Sequence, residues 1–253
     1  MIYVLGDSFC FGWDFLRKKV PNYKQLLCPY LLANKLGMEY KNYSLVGSSN
    51  YRLARLANFL DIKKDDIVII SWSSYERIEI GVPKDKIMPN DFVVDYKNLE
   101  NLENFEDQQV FQLIEKTENL YTRQIYPTIL KKFDEVTSPS YKNLVKNMIH
   151  YASDKNYHEQ MFEILFNATV HKLRATGCKF LMFTTWDVDL STTDFLNIPE
   201  YLLHTTNMLD EVRYKNSSIK HREKNDFKYW TKEEHEQVTE ILYNALREKY
   251  DIQ

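Results

Sequence analysis

Cysteine, glycine and proline are all scarce in this 253-residue chain, at three, six and seven residues. Cys10, Cys28 and Cys178 are odd in number and follow no metal-ligand spacing. That excludes a disulfide framework and a zinc ribbon, and leaves free thiols in a reducing compartment. So little glycine and proline, beside a hydrophobic fraction of 44%, excludes fibrous and low-complexity classes. No apolar run approaches the roughly 18 residues of a membrane span. No leader is visible either, because a strand-like run begins at Ile2, so the expected location is the cytoplasm. Basic charge is not in excess. The net charge is −3, and clusters such as Arg17-Lys18-Lys19 and Lys131-Lys132 read as solvated faces, so nothing points to nucleic acid. No metal or other cofactor is called for.

What is present is an alternation. Ile2 to Leu5 is a short apolar run. Tyr23 to Leu36 carries apolar residues at helical spacing and stops at Gly37, with Pro29 either kinking it or marking its true start. Tyr40 to Val46 reads as a second strand ending at Gly47. Ser48, Ser49 or Asn50 then caps a helix running to Leu60, with Leu53, Leu56, Ala57 and Leu60 on its inner side. Ile67 to Ile70 is a continuous β-branched run, as a parallel strand buried on both faces requires. After a break the grammar resumes: a helical segment over 142–176, in one piece or two joined near Asp154, Gly177, a strand at Phe180–Phe183, and a last helix from Thr231 to Tyr250. Thr231 and Glu234 are spaced for a capping box, ahead of the stripe Val238, Ile241, Leu242, Ala245 and Leu246. This is the pattern of a three-layer α/β/α domain built on a doubly wound, mostly parallel sheet.

Residues 81–141 break the pattern. They are rich in aromatics, including Phe92, Tyr96, Phe105, Phe111, Tyr121, Tyr126 and Phe133, and Val110 to Tyr121 has helical character. We expect a single domain over 1–253 with a helical insertion at 81–141. The insertion's rings either pack it onto the sheet, close a lid over a site, or form a surface for homo-oligomerisation.

The chemistry-bearing residues fall where strands of such a sheet end. Ser8, in Gly6-Asp7-Ser8-Phe9, leaves the first strand, Gly47 leaves the second and Ser73-Ser74 leaves the third, while Asp226 precedes the last helix. Ligands bind at that carboxyl edge in open α/β sheets. Nucleophilic serine chemistry needs a base, a group orienting it and donors for the oxyanion, drawn from distant sequence positions. Each residue taken singly also has a plain reading as a turn, a solvated hydroxyl or a surface charge.

In these blocks the chain resembles the SGNH (GDSL-type) hydrolase family, especially its compact phage and bacterial members. The resemblance covers about 1–80 and 143–253 and leaves the insertion unmatched. It implies a flavodoxin-like sheet, with Ser8 as nucleophile and an oxyanion hole from the Ser8 and Gly47 amides. Ile69 to Tyr75 stands at the third block, where Ser73 or Ser74 replaces the family's asparagine; a serine hydroxyl still donates there. Asp226 matches the aspartate of the last block. Three residues later, where the family has its catalytic histidine, stands Tyr229, whose ordinary pKa near 10 makes it a poor base at neutral pH. His235, in the last helix, and His221, in the basic loop Lys220–Lys224, are the remaining candidates for the base. His150, His158, His171 and His204 match no block.

Two functions follow. One is a serine esterase or acetylhydrolase acting on a small-molecule or carbohydrate ester. The other is a binding or interaction protein on the same scaffold, its base lost at Tyr229. A third, an assembly protein using the insertion, is weaker.

Overall fold

A computed structural model describes residues 1–74, 77–87, 92–96, 113–117, 120–125, 155–185, 199–200, 202, 208 and 230–252. Strand β1 (Ile2–Leu5) is followed by two short helices, α1 (Ser8–Phe11) and α2 (Trp13–Arg17), then α3 (Cys28–Leu36) and β2 (Tyr40–Asn42). Helix α4 (Asn50–Phe59) leads to β3 (Ile67–Trp72). Strands β4 (Ile78–Gly81), β5 (Phe92–Asp95), β6 (Leu113–Thr117) and β7 (Leu120–Ile125) come next, then α5 (Lys155–Thr176), β8 (Lys179–Thr184) and α6 (Lys232–Tyr250).

The first sheet has the order β2-β1-β3-β8 and every pairing in it is parallel. Its layers follow from the two-residue period of a strand. On β3, Ile67 and Ile69 join the core beneath α3 and α6, whereas Val68, Ile70 and Trp72 join the core beneath α4 and α5. On β8, Leu181 and Phe183 face the first layer, and Phe180 and Met182 the second. A strand with apolar side chains on both faces is stable only when helices cover both, which makes the three-layer, doubly wound α/β architecture the expected one.

Helix ends match local chemistry. Pro29 lies in the first turn of α3, so it marks a start and not a kink, and a separate 3-10 turn (Tyr23–Leu26) precedes it. Ser49 is the N-cap of α4 and accepts from the Arg52 N–H. The Thr231–Glu234 capping box is formed in both directions at the start of α6. Strand β2 is shorter than expected. Asn42 Oδ1 accepts from the Ser44 N–H and Asn42 Nδ2 donates to the Cys10 carbonyl, while the Tyr43 N–H still donates to the Val4 carbonyl past the strand's end. Of the helical segment expected over 142–176, residues 155–176 are helix and 142–154 lie outside the described residues.

The described part of the insertion corrects the expectation of a helix. Val110 to Tyr121 holds β6 and the start of β7, and a second sheet runs β4-β7-β6-β5, with β5 parallel to β6 and the other two pairings antiparallel. Strand alternation is hidden there because both faces of β6 are buried and one carries polar groups. Ile114 is fully buried, yet so are Glu115, Thr117 and Thr122, within 3% of complete burial. Arginines of α4 supply the partners: Arg52 binds Glu115, and Arg55 binds Glu79, Glu115, Thr117 and Thr122.

Candidate functional site

Asp7 makes the turn on which Ser8 stands. Its backbone is extended (φ −104°, ψ −155°), and its side chain accepts the Phe9 N–H at 3.1 Å, capping α1. The helix lasts four residues because Gly12 ends it in the left-handed region (φ +78°), donating to the Ser8 and Phe9 carbonyls. A Cβ at Gly12 would also lie 2.5 Å from Leu27 Cδ2, so the turn leaves no room for a side chain. Ser8 is only 1% exposed, and no described residue hydrogen-bonds its hydroxyl.

The other strand exits converge on this turn. The Leu45 N–H donates to the Gly6 carbonyl at 3.1 Å, tying the chain after β2 to the chain after β1. Gly47 follows at φ +71°, inside a turn closed by the Ser48 N–H donating to the Leu45 carbonyl. Among the described residues, no group accepts the amide protons of Ser8 or Gly47. Buried donors without acceptors are uncommon and call for a function or a ligand.

After β3, Ser73 Oγ donates to Asp7 Oδ2 at 3.4 Å and accepts from Arg77 Nη1 at 2.6 Å. The same Arg77 nitrogen reaches Asp7 Oδ2 and the Ser48 carbonyl, each at 3.3 Å. One guanidinium therefore holds the exits of all three strands. Asn50, the first residue of α4, completes the frame: its side chain donates to the Ser73 carbonyl and accepts the Ser73 N–H, at 2.9 and 2.8 Å. Ser74, beside it, is half-buried, and its carbonyl accepts the Arg77 N–H.

Ser8, Gly47 and Ser73-Ser74 are thus brought to one sheet edge. His235 is held elsewhere: its Nδ1 accepts the Cys28 N–H at 3.2 Å, and its ring packs between Phe15 and Trp230, with centroids 5.6 and 5.4 Å away. It is 1% exposed and makes no hydrogen bond to Ser8. Asp226, His221 and Tyr229 lie outside the described residues.

Beneath α1 lies a thiol pair. Burial raises the Cys28 pKa, but the Cys10 thiol and His235 outweigh it and bring it down to about 6. Cys10 moves the other way, held protonated by the same hydrogen bond and by burial. Among the described residues no group of three His, Cys, Asp or Glu is arranged to hold a metal ion, and no helix is long and apolar enough to cross a membrane.

Sequence reasoning missed Asp7, Asn50, Arg52 and Arg77 as parts of the site's frame. The available cue was Arg52: a charge beside Leu53 and Leu56, on the inner side of a helix, must find a buried partner.

The fold defines a doubly wound α/β protein with a polar, strand-exit site at its carboxyl edge. No protein-family model matches the chain, and no curated protein matches it either. A solved structure titled "Crystal Structure of TesA" is similar over 98% of this chain and 98% of its own, at 11% identity and a TM-score of 0.44.

Proposed function

We propose that the protein is an SGNH-type serine hydrolase that cleaves an acyl ester of a small molecule or carbohydrate, with Ser8 as nucleophile. The observation that carries this reading is the pair of amide protons at Ser8 and Gly47, left without described acceptors beside a Ser8 hydroxyl that no described residue bonds. Attack by Ser8 Oγ on an ester carbonyl builds an oxyanion, and in this reading the two amides donate to it. Ser74 is the third donor in this reading. The proton leaving Ser8 goes to a histidine oriented by Asp226, and His221 is the candidate, because His235 Nδ1 already accepts the Cys28 N–H. Fluorophosphonate labelling tests it: the wild type is modified at Ser8 and Ser8→Ala is not. An unlabelled wild type that also fails on short acyl esters rejects the proposal.

A second reading has its own observation. His235 Nδ1 already accepts the Cys28 N–H, so the described residues hand Ser8 no base, and Tyr229 stands where the family keeps one. On this reading the scaffold binds a ligand without turning it over. Ester hydrolysis that appears only in Tyr229→His identifies the natural chain as the binding form.

A further inference from the structure

Two side chains that the ester chemistry leaves unused meet beneath α1. Cys10 stands in α1 and Cys28 is the first residue of α3, and they are 0% and 2% exposed. Their thiols are hydrogen-bonded to each other. The pair is fixed from both ends. Cys10 packs against the exit of β1 because residue 6 is glycine: a Cβ there would lie 3.0 Å from Cys10 Cβ and 3.2 Å from its sulfur. The Asn42 side chain donates to the Cys10 carbonyl at 2.9 Å. Ser71, whose hydroxyl meets that of Thr185 at 2.5 Å, bonds the Cys10 thiol. At the other end His235 bonds the Cys28 thiol, and its Nδ1 accepts the Cys28 N–H at 3.2 Å.

The two thiols hold their protons differently. Burial raises the Cys28 pKa, but the Cys10 thiol and His235 bring it down to about 6. At neutral pH Cys28 is therefore mostly thiolate, the form that attacks an oxidant. The hydrogen bond to Cys28 and burial push Cys10 the other way, so it keeps its proton. One sulfur is a nucleophile, and the other carries a proton to give. An open cavity of about 370 Å³ comes close to both: Phe11, which follows Cys10, and Leu27 and Pro29, which flank Cys28, line it, as does Asn42. Its wall is one residue along the chain from each cysteine, an approach suited to a molecule little larger than water.

We propose that Cys28 and Cys10 form a peroxide-reactive dithiol, in which Cys28 attacks a small hydroperoxide and Cys10 closes a disulfide that ties α1 to α3. The Cys28 thiolate attacks one peroxide oxygen: an S–O bond forms, the O–O bond breaks, and the departing hydroxide takes a proton from solvent to leave as water. The Cys10 sulfur then attacks the Cys28 sulfenic acid. The S–S bond forms, the S–O bond breaks, and the second hydroxide leaves as water with the Cys10 proton. Each thiol gives up one electron, and the two electrons reduce the peroxide bond. The proposal does not depend on Ser8 being a nucleophile.

Mass spectrometry of the full, folded chain tests it, with hydrogen peroxide in modest excess after the reductant is removed. The wild type should lose about 2 Da, and digestion without reductant should yield one linked peptide pair, holding Cys10 and Cys28, that dithiothreitol separates. Cys178, whose pKa burial pushes up to about 11, should stay unlinked. Cys28→Ala should give neither a linked peptide nor an oxidised Cys10. Cys10→Ala has no second thiol to close the bond, so dimedone should trap a sulfenic acid on Cys28. That trapping should run about ten-fold or more slower than wild-type oxidation, because the partner that most favours the thiolate is gone. The proposal is overturned if both wild-type thiols survive peroxide, or if Cys28 gains oxygen without linking to Cys10. A link that forms only once urea has unfolded the chain overturns it too, as does oxidation of Cys10 in Cys28→Ala at the wild-type rate.

Discussion

The Arg52 guanidinium and the Glu115 carboxylate meet at 2.5 Å, with side chains 0% and 1% exposed. Arg52 Nη1 also donates to the Tyr43 carbonyl and to Ser48 Oγ, so one buried cation links the insertion's sheet, α4 and the turn that contains Gly47. Removing one partner of such a pair strands the other charge in the core. Arg52→Met and Glu115→Leu are each expected to cost about 3–5 kcal/mol in urea denaturation. The double variant, which strands neither of these two charges, should cost less than the two losses added together. Additive losses would show that the two residues are not coupled.

The same pair sets a pH dependence. Burial raises the Glu115 pKa, but the charges and hydrogen bonds of Arg52 and Arg55 outweigh it and hold the carboxyl below its ordinary 4.5. The native state therefore binds fewer protons at this group than the unfolded chain does. Its stabilising contribution is complete above pH 4.5 and is lost as pH falls through the lower native value. In Glu115→Gln that acid-side slope should be shallower than in the wild type. Superimposable slopes, after correction for the constant offset, would count against the assignment.

The main sheet was legible because its signals are local and apolar. The β-branched run at Ile67–Ile70, the Thr231–Glu234 box and Gly37 each act within a few residues of themselves. The second sheet was not, because its inward positions at Glu115, Thr117 and Thr122 are polar and become core only through Arg52 and Arg55, about sixty residues earlier. The strand-exit positions of Ser8, Gly47 and Ser73 could be read from order alone. The hydrogen bonds of Arg77 and Asn50 that join them could not, since no spacing rule links residues from separate loops.

Ser8 and Asp7 are adjacent but should separate cleanly in experiment. Ser8→Ala removes a hydroxyl that no described residue bonds, so its stability should stay within about 0.5 kcal/mol of wild type while fluorophosphonate labelling is lost. Asp7→Ala removes the cap of α1 and a carboxylate that faces Arg77 at 3.3 Å. It should cost about 1–3 kcal/mol and also reduce labelling, because the turn presenting Ser8 loosens. Chemical denaturation and labelling on the same samples decide it. A labelled Ser8→Ala would place the nucleophile elsewhere.

Gly12→Ala is expected to fold poorly. The left-handed backbone costs a Cβ about 1–2 kcal/mol, and the 2.5 Å approach of Leu27 Cδ2 adds overpacking of about 1–3 kcal/mol. Gly12→Ala combined with Leu27→Ala should recover the second part and not the first. If the double variant is no better than Gly12→Ala, the contact with Leu27 is not what limits the turn.

The thiol pair gives a stability profile with two limbs. Native Cys28 loses its proton near pH 6, whereas the unfolded chain keeps it until about its ordinary value of 9.0. Between those values the unfolded state binds more protons, so stability rises with pH, and the gain is absent below about 6. Cys10 works in the opposite sense. Its native pKa lies well above 9.0, so past that value the unfolded chain releases a proton the native state keeps, and stability falls. Cys28→Ala should flatten the rising limb. Cys10→Ala should flatten it too, since the Cys10 thiol is the largest of the interactions that offset the burial of Cys28. Urea denaturation across the pH series, with reductant present throughout, measures both limbs. A wild-type profile that does not rise between pH 6 and 9 relative to Cys28→Ala would show that Cys28 keeps its proton in the native state, and that the pair is an inert filling of the core beneath α1.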